Sequence, residues 1–418
     1  ESSVLWPGEI SWFAKSSGTT SAKSKFIPVS ADSLEDCHYA AGKDLLCMYL
    51  NNNENSTLFN GKNLRLGGSK ELYEENGTTF GDLSAILIDN MPLWAEFSST
   101  PGNKVSLMSD WEYKMQAIVN ETINENVTSL AGVPSWMLVL LNNVLESTGN
   151  KNILDVWPNL EVYFHGGVSF LPYVDQYKSI IPSKSFKYYE IYNASEGFFA
   201  IQDRNQSDEL LLMLDYGIFY EFIPMQTHGT PTEVLIPLSQ VEKGINYAIV
   251  ITTNAGLWRY KIGDTILFTS TKPYRIKVTG RTKHFINVFG EELIIENTDK
   301  ALKIVAKKTK SEILDYTVAP IFMEGKTKGA HEWIIEFKTP PKDLGYFNEL
   351  LDNSLKSINS DYESKRYKNI TLNKPVIHSA KQGLFYKWMK RNDKLGGQHK
   401  IPRLSNSRGF LEELLKID

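Results

Sequence analysis

The sequence predicts an α/β fold, and two observations carry this prediction. Short apolar or alternating runs that end at Gly, Pro, Asn or Asp are typical of strands. Runs with the apolar spacing of helices lie between them. Strands that alternate with helices favour an α/β architecture over an all-β or an all-helical one. The 418 residues, of which 42% are hydrophobic and 22% charged, suffice for two or three domains with a sizeable core.

Five runs before residue 280 are predicted to contain strands. They are "DLSAILID", "NLEVYFHGG", "YYEIYNASEGFF", "LLLMLDYGIFYEFIP" and "NYAIVITTNAGLWRYKIGDTILF". The predicted helices are the stretch from Trp111 to Ile123, "VPSWMLVLLNNVLESTG" with Pro134 in its first turn, and "EELIIENTDKALKIVAKKT".

A domain boundary is predicted near Gly280–Lys283. Beyond it follow a helix, a strand pair around "YTVAPIFME" and "HEWIIEFK", a second helix and a basic tail. This order indicates a compact α+β domain of ordinary size. We therefore expect two domains, residues 1–282 and 283–418.

Charge and composition exclude several classes of protein. A formal net charge of −4 argues against a broad nucleic-acid footprint, so a bound anion should occupy a local pocket. No apolar run approaches the roughly 18 residues of a membrane span. Two cysteines, Cys37 and Cys47, indicate a reduced, cytoplasmic protein. The chain begins at Glu1 without a signal peptide, and we expect a further N-terminal segment to precede it.

Two kinds of catalytic site are also argued against. The seven histidines show no paired ligand spacing of the kind that transition metals need. Neither cysteine lies in a motif that would depress the pKa of its thiol.

A polar stretch near the N-terminus is a candidate phosphate loop. Its small side chains allow backbone N–H groups and hydroxyls to point into one concavity, and lysines add positive charge. The alternative is a flexible polar loop, and the spacing is not that of a Walker motif. The stretch consists of Ser16, Ser17, Gly18, Thr19, Thr20, Lys23 and Lys25.

Further candidates follow predicted strands. Read singly, the acidic ones are solvated loop carboxylates and the glycines are turn formers. Read together, they form one loop cluster at strand ends, where α/β proteins bind ligands. They are His165, Gly166, Gly167, Ser195, Glu196 and Asp264.

Five ordered motifs resemble those of the acyl-adenylate-forming superfamily, which includes firefly luciferase and the acyl-CoA synthetases. The motifs are "SSGTTSAKSK", "HGG", "YNASEG", "WRYKIGD" and "GRTKHFINVFGEELIIENTDKAL". They are most similar to its branch of plant auxin-responsive acyl-acid amido synthetases, which has bacterial relatives. The resemblance covers nearly the whole chain. It implies a large N-terminal adenylate-forming domain with mixed sheets and flanking helices, and a small mobile α+β C-terminal domain.

The resemblance also implies roles for individual residues. It assigns the binding of Mg²⁺ to Glu196 and the binding of the ribose hydroxyls to Asp264. It places Arg281 near the ribose or the α-phosphate and makes Tyr260 a further nucleotide contact. The ATP phosphates would contact Ser16, Ser17, Gly18, Thr19, Thr20 and Lys25, and the adenine side would consist of Gly166, Gly167 and Ser195. It places the hinge between the domains at Lys283.

Two departures from the superfamily pattern affect lysines. Ser21-Ala22 stands where glycine is favoured, which leaves Lys23 and Lys25 as alternatives, and alignment to the plant branch favours Lys25. The tail "GGQHKIPR" replaces the usual Ser-Gly-Lys and resembles the plant branch's Gln-Tyr-Lys-Val-Pro-Arg. Lys400 is therefore the candidate catalytic lysine, and a solvated surface lysine is the alternative.

The implied reaction is the activation of a carboxylic acid. ATP adenylates the acid with release of pyrophosphate, and the amino group of an amino acid then takes the acyl group. The alternatives are an acyl-CoA synthetase and a non-catalytic nucleotide-binding protein. Candidates for the acyl pocket are Ser135, Trp136, Met137, Leu138 and His165, with ordinary core packing as the alternative for each.

Overall fold

The protein divides into two compact units, with the division between Thr282 and Lys283. The computed structural model describes residues 4, 6–16, 25–67, 72–75, 77–167, 170, 173–282, 285–291, 293–323, 327–367, 371–392 and 402–417.

The first unit combines two sheets with helices. Its strands are β1 (Trp12–Ser16), β2 (Lys25–Val29), β3 (Lys62–Arg65), β4 (Tyr73–Glu75), β5 (Thr78–Gly81), β6 (Ser99–Thr100), β7 (Val127–Gly132), β8 (Val162–His165), β9 (Lys187–Ala194), β10 (Gly197–Ile201), β11 (Leu210–Leu212), β12 (Ile218–Pro224), β13 (Ile236–Pro237), β14 (Asn246–Thr253), β15 (Tyr260–Thr271) and β16 (Tyr274–Arg281). Its α-helices are α1 (Ala40–Asn52), α2 (Leu83–Asp89), α3 (Leu93–Phe97), α4 (Asn103–Ser106), α5 (Trp111–Thr122), α6 (Pro134–Thr148) and α7 (Val174–Ile180).

The larger sheet has twelve strands, and their pairing changes from antiparallel to parallel across the sheet. The strand order is β13-β12-β14-β15-β16-β11-β10-β9-β8-β7-β3-β6. The strands from β9 to β6 pair in parallel, and α6 connects β7 to β8. The strands from β9 to β13 pair antiparallel. This half contains the hairpins that carry the acidic candidates.

A single helical stripe packs into the main core of the first unit. Cys37, Ala41, Leu45 and Tyr49 recur at four-residue spacing, so they lie on one face of the helical stretch that contains α1. This stretch is π-helical over Ser33–Tyr39 and continues as α1. The stripe packs against aromatic and aliphatic side chains of β8 to β16.

The smaller sheet has the order β2-β1-β5-β4, and α2 packs against it. Here the prediction of a strand over "DLSAILID" was wrong, because residues 83–89 form α2. Leu83 and Ile86, three residues apart, both face a core shared with Ala14 and Ile27. A short apolar run fits a strand or a helix equally well, and only the surface it packs against decides between them.

The other predicted elements of the first unit are confirmed. The predicted helices correspond to α5 and α6. Pro134 occupies the first turn of α6, and Gly149 ends it in the left-handed conformation with φ of 70°. The remaining four predicted strand runs correspond to β8, to β9 and β10, to β11 and β12, and to β14 and β15.

The second unit is a smaller α+β assembly. Strand β20 lies at the centre of its three-stranded sheet, antiparallel to β19 and parallel to β21. Buried Leu384, Trp388 and Leu411 belong to a core cluster that includes Ile334 of β20. Its elements are β17 (Phe285–Ile286), β18 (Leu293–Ile294), α8 (Ile295–Thr309), β19 (Glu312–Ile321), β20 (Ala330–Thr339), α9 (Leu344–Ile358), α10 (Ser360–Arg366), β21 (Val376–Ala380), α11 (Leu384–Arg391) and α12 (Gly409–Leu415).

Within the described ranges, no helix combines the length and apolar character needed to span a lipid bilayer.

Candidate active site

The acidic candidate Glu196 lies at the tip of a tight hairpin. Strands β9 and β10 pair antiparallel with Ala194 opposite Gly197, so Ser195 and Glu196 form the turn. The flanking strand β10 is buried along its whole length, which fixes the hairpin on the core. Both turn residues are partly exposed and available to a ligand.

The second acidic candidate, Asp264, is held by cross-strand pairing. The register of β15 and β16 places Asp264 directly opposite Arg281. The Nε of Arg281 lies 2.8 Å from Oδ1 of Asp264, and both side chains are largely buried. The carboxylate predicted to bind the ribose and the guanidinium predicted to lie near the ribose or the α-phosphate therefore form one ion pair.

Asp264 has a further partner that the sequence did not single out. The hydroxyl of Tyr192 in β9 donates a hydrogen bond of 2.7 Å to Oδ2 of Asp264. Tyr192 is the first residue of the "YNASEG" motif, so its place in that motif is the sequence feature that points to it.

Tyr260 links the smaller sheet to the Glu196 hairpin. Its hydroxyl accepts a hydrogen bond of 3.4 Å from Nζ of Lys25, and this ammonium group also lies 5.5 Å from the centre of the Tyr260 ring. Burial and the nearby carboxylate of Glu196 both raise the pKa of this hydroxyl. Lys25, Tyr260 and Glu196 thus lie in one polar cluster.

The environment of Glu196 disfavours its charge. Burial raises the pKa of the Glu196 carboxyl, and the negative charge of Asp264 acts in the same direction. A backbone N–H, the charge of Arg281 and the Tyr260 hydroxyl oppose this effect without cancelling it. Asp264 already pairs with Arg281, so Glu196 is the carboxylate that would gain more from a cation partner.

The two ends of the predicted phosphate loop belong to one hairpin. Ser16 ends β1 and Lys25 begins β2, and the two residues are direct partners in the register. The loop between them therefore starts and finishes beside the Tyr260 contact. Ser17, Gly18, Thr19, Thr20 and Lys23 lie outside the described residues, as do Lys283 and Lys400.

The "HGG" motif follows β8 at the same end as the β9–β10 hairpin tip, because β8 and β9 run parallel with His165 opposite Glu190. A Cβ on Gly166 would lie 2.5 Å from the backbone oxygen of Ile191, so only glycine fits there. Gly167 has φ of 83°, a conformation that favours glycine. The backbone at Gly166 therefore packs closely against β9.

His165 is a buried neutral imidazole. It is 3% exposed, and burial lowers its pKa to about 3. Its ring stacks on Phe170 with centroids 4.2 Å apart, and its Nδ1 has no hydrogen-bond partner among the described residues. At neutral pH it can offer a ligand a hydrogen bond and no charge.

The remaining acyl-pocket candidates lie at the start of α6. Met137 and Leu138 are buried at 0% and 2% exposure, while Trp136 is partly exposed. Ser135 occupies the first turn of the same helix. Their contact with an acyl group stays a prediction.

Models of one protein family match most of the chain. They are the GH3 family N-terminal domain over residues 1–186, the GH3 family central domain over 211–281 and the GH3 family C-terminal domain over 296–409.

Curated relatives include two proteins of Arabidopsis thaliana. "Indole-3-acetic acid-amido synthetase GH3.3" is 26% identical over 285 residues, which are 63% of this chain and 46% of that protein. "4-substituted benzoates-glutamate ligase GH3.12" is 24% identical over 345 residues, 74% of this chain and 58% of that protein. The chain thus spans about half the length of these curated relatives.

Two solved structures share the fold. "AtGH3.15 acyl acid amido synthetase in complex with 2,4-DB" has a TM-score of 0.58 and 16% identity, over 98% of this chain and 82% of that one. A 2-hydroxyisobutyryl-CoA ligase has a TM-score of 0.55 and 12% identity, over 97% of this chain and 75% of that one. These similarities confirm the predicted fold class. The matching domain models show that the chain belongs to the GH3 family.

Proposed function

We propose that this chain is an ATP-dependent acyl-acid amido synthetase. It adenylates a carboxylic acid with release of pyrophosphate and then transfers the acyl group to the amino group of an amino acid. One observation carries the proposal: charged and polar side chains from four separate stretches of the chain meet at one place. They are Lys25, Glu196, Tyr260, Asp264 and Arg281.

The arrangement suits a nucleotide triphosphate. Lys25 and Arg281 supply positive charge to the phosphates, together with the loop between Ser16 and Lys25. Asp264 accepts hydrogen bonds from the ribose hydroxyls. The turn at Ser195 and the glycines 166 and 167 flank the adenine. The chain's net charge of −4 supports such a localised anion site over a nucleic-acid surface.

Glu196, with Asp264 nearby, is suited to bind a divalent cation. No group of three or more His, Cys, Asp or Glu side chains with metal-site geometry occurs in the described ranges, so Mg²⁺ would share Glu196 with phosphate oxygens and water. When bound, the cation would neutralise charge on the phosphates. The raised pKa of Glu196 supports this assignment, because a carboxylate that is costly to ionise gains from a cation partner.

In the first half-reaction the carboxylate of the acid attacks the α-phosphorus of ATP, and pyrophosphate leaves. The protein's task is to align two anions and to reduce their repulsion. Lys25 does so through its ammonium group, which the Tyr260 contact orients. The product, an acyl-AMP, is a mixed anhydride with a good leaving group.

In the second half-reaction an amine attacks the acyl carbonyl and AMP leaves. Lys283 as hinge, Lys400 as the lysine that enters the site, and closure by the C-terminal unit are proposals that rest on the family resemblance. Exclusion of water favours the amide over hydrolysis. Ser135, Trp136, Met137, Leu138 and His165 are proposed to line the acyl pocket.

The names of the relatives support the substrate classes. One is an indole-3-acetic acid-amido synthetase and another joins 4-substituted benzoates to glutamate. We extend to this chain only the shared chemistry, a small carboxylic acid and an amino acid. The two free cysteines, Cys37 and Cys47, support a reducing, cytoplasmic setting.

The test is exchange of labelled pyrophosphate into ATP in the presence of a panel of carboxylic acids. We expect acid-dependent exchange, followed by amide formation when amino acids are added to the active acid. Thioester formation with coenzyme A and no amide would identify an acyl-CoA synthetase. Binding of ATP without exchange for any acid would identify a non-catalytic nucleotide-binding protein.

A further inference from the structure

Each oxygen of the Asp264 carboxylate has its own hydrogen-bond donor. Arg281 Nε contacts Oδ1 at 2.8 Å, and the Tyr192 hydroxyl contacts Oδ2 at 2.7 Å. Asp264 and Tyr192 are only 7% and 8% exposed. Because hydrogen bonds to an ionised acceptor are short and strong, two of them on opposite oxygens fix the plane of the carboxylate.

The two donors reach Asp264 by different routes. Arg281 faces Asp264 across the β15–β16 ladder, so its contact follows from local strand pairing. Strand β9, which carries Tyr192, is separated from β15 by β10, β11 and β16 in the sheet order. The contact therefore exists only because the sheet curls until β9 faces β15. It is a tertiary contact that pairing alone does not provide.

Tyr192 also lies close in sequence to Glu196, which is four residues further along the same hairpin. The hydroxyl contact consequently ties the hairpin that carries one acidic side chain to the strand that carries the other.

The hydroxyl of Tyr192 stays protonated and can donate a hydrogen bond, and the packing of its ring does not depend on that bond. Burial raises the pKa of Tyr192 well above its usual value, and Asp264 acts in the same direction, so the hydroxyl stays protonated. The ring packs on Phe199 with centroids 4.9 Å apart. Removal of the oxygen alone should therefore leave the core packing in place.

We propose that Tyr192 is a positioning residue that holds the Asp264 carboxylate in the orientation that receives the ribose hydroxyls of the nucleotide. This inference rests on the proposed function. Without the Tyr192 hydroxyl, Oδ2 loses its partner and the carboxylate turns about the remaining Arg281 bond. The ribose contact should weaken, while contacts to the adenine and the phosphates stay unchanged.

The experiment compares two nucleotides that differ only at the ribose. Dissociation constants of AMP and of 2′,3′-dideoxy-AMP are measured by calorimetry for the wild type, Tyr192→Phe, Asp264→Asn and the double variant. We expect Tyr192→Phe to weaken AMP binding by about tenfold, the size of one lost hydrogen bond, and to leave dideoxy-AMP binding unchanged. The double variant should bind AMP no more weakly than Asp264→Asn.

A matched control is available in the same sheet. Tyr220 is 4% exposed, and its hydroxyl has no hydrogen-bond partner in the part of the chain that the structure describes. Tyr220→Phe therefore removes a buried oxygen without removing any of the hydrogen bonds seen there. It should leave both dissociation constants unchanged. Circular dichroism and thermal unfolding check that each variant is folded.

The outcomes separate the two hypotheses. Unchanged AMP affinity in Tyr192→Phe, or an equal loss for both nucleotides, would overturn the positioning role. If Tyr192→Phe does not fold, the test uses Asp264→Asn. An Asp264→Asn protein that still binds AMP more tightly than 2′,3′-dideoxy-AMP would overturn the inference. A wild type that binds neither nucleotide overturns the proposed function itself.

Discussion

The ammonium group of Lys25 lies 3.4 Å from the Tyr260 hydroxyl, although 235 residues separate the two along the chain. Lys25 begins a strand of the four-stranded sheet, and Tyr260 begins β15 of the twelve-stranded sheet. The contact anchors one end of the predicted phosphate loop at the start of the strand that carries Asp264. Tyr260 also interacts electrostatically with Glu196, so the contact places Lys25 near both candidates.

Replacement of Lys25 by methionine should lower the rate of acid-dependent pyrophosphate exchange by about 100-fold or more. The variant keeps the length of the side chain and removes the charge that offsets repulsion between the reacting anions. Steady-state exchange rates at saturating acid measure the effect. Lys43→Met is the matched control, because Lys43 is an exposed lysine whose partner is Glu35. Equal rates for Lys25→Met and the wild type would exclude Lys25 from the reaction.

Glu196→Gln should abolish exchange and at the same time stabilise the ligand-free protein at neutral pH. Burial and Asp264 raise the pKa of Glu196 in the folded state. Its contribution to stability is therefore fully present below the unfolded-state pKa and is lost as the pH rises through the folded-state pKa. Glutamine removes this cost, because it stays neutral.

Thermal unfolding as a function of pH tests this expectation. The melting temperature of Glu196→Gln should exceed that of the wild type at pH 7, and the difference should vanish below about pH 4. Glu242→Gln, at an exposed position, should shift neither the melting temperature nor the exchange rate. A Glu196→Gln protein that is less stable than the wild type at pH 7 would contradict the raised pKa.

Gly166→Ala should disturb the β8–β9 region of the site. The added methyl group would lie 2.5 Å from the backbone oxygen of Ile191, and backbone cannot move aside cheaply. We expect a lower free energy of unfolding and a loss of AMP affinity, measured by urea denaturation and calorimetry. Gly42→Ala is the control, because its methyl group meets nothing within 4 Å and lies inside α1. It should stabilise the protein by up to about 1 kcal/mol. If Gly166→Ala were as stable as Gly42→Ala, the close contact between Gly166 and the backbone of Ile191 would be contradicted.

Asp352→Asn should destabilise the second unit by about 3 kcal/mol or more, since it leaves the buried guanidinium of Arg366 without its anion. Asp352 is 1% exposed and receives bonds from Arg366 Nε at 2.6 Å, Lys356 Nζ at 2.7 Å and the Tyr362 hydroxyl at 2.9 Å. Urea denaturation of the whole chain measures the loss. Glu312→Gln, which breaks the exposed pair with Lys338, should have little effect.

The same network should make the second unit acid-sensitive. Burial alone would raise the pKa of Asp352, but its bonds to Arg366 and Lys356 hold that pKa below the usual value. The stability from Asp352 is therefore present above the unfolded-state pKa and lost as the pH falls through the folded-state pKa. Below about pH 4 the stability gap between wild type and Asp352→Asn should close. A gap that stays constant down to about pH 2 would contradict this assignment.

Local chain chemistry made much of the fold predictable. Pro134 and Gly149 bound α6 for reasons that lie within a few residues of each, and the period of buried residues in α5 and α6 is set by the helix itself. The site residues were predictable as a group, because family motifs fix their identity and order. The short run at residues 83–89 was not, since its apolar pattern suits a strand or a helix.

By itself, the sequence determined most of the types of element, the family and the charged residues proposed to face a nucleotide. Only the tertiary structure decided which of them touch. Tyr192 reaches Asp264, and Lys25 reaches Tyr260, because a curled sheet and a second sheet bring together segments that are distant along the chain. Such contacts depend on how many strands pack together, and a local pattern of residues does not specify that arrangement.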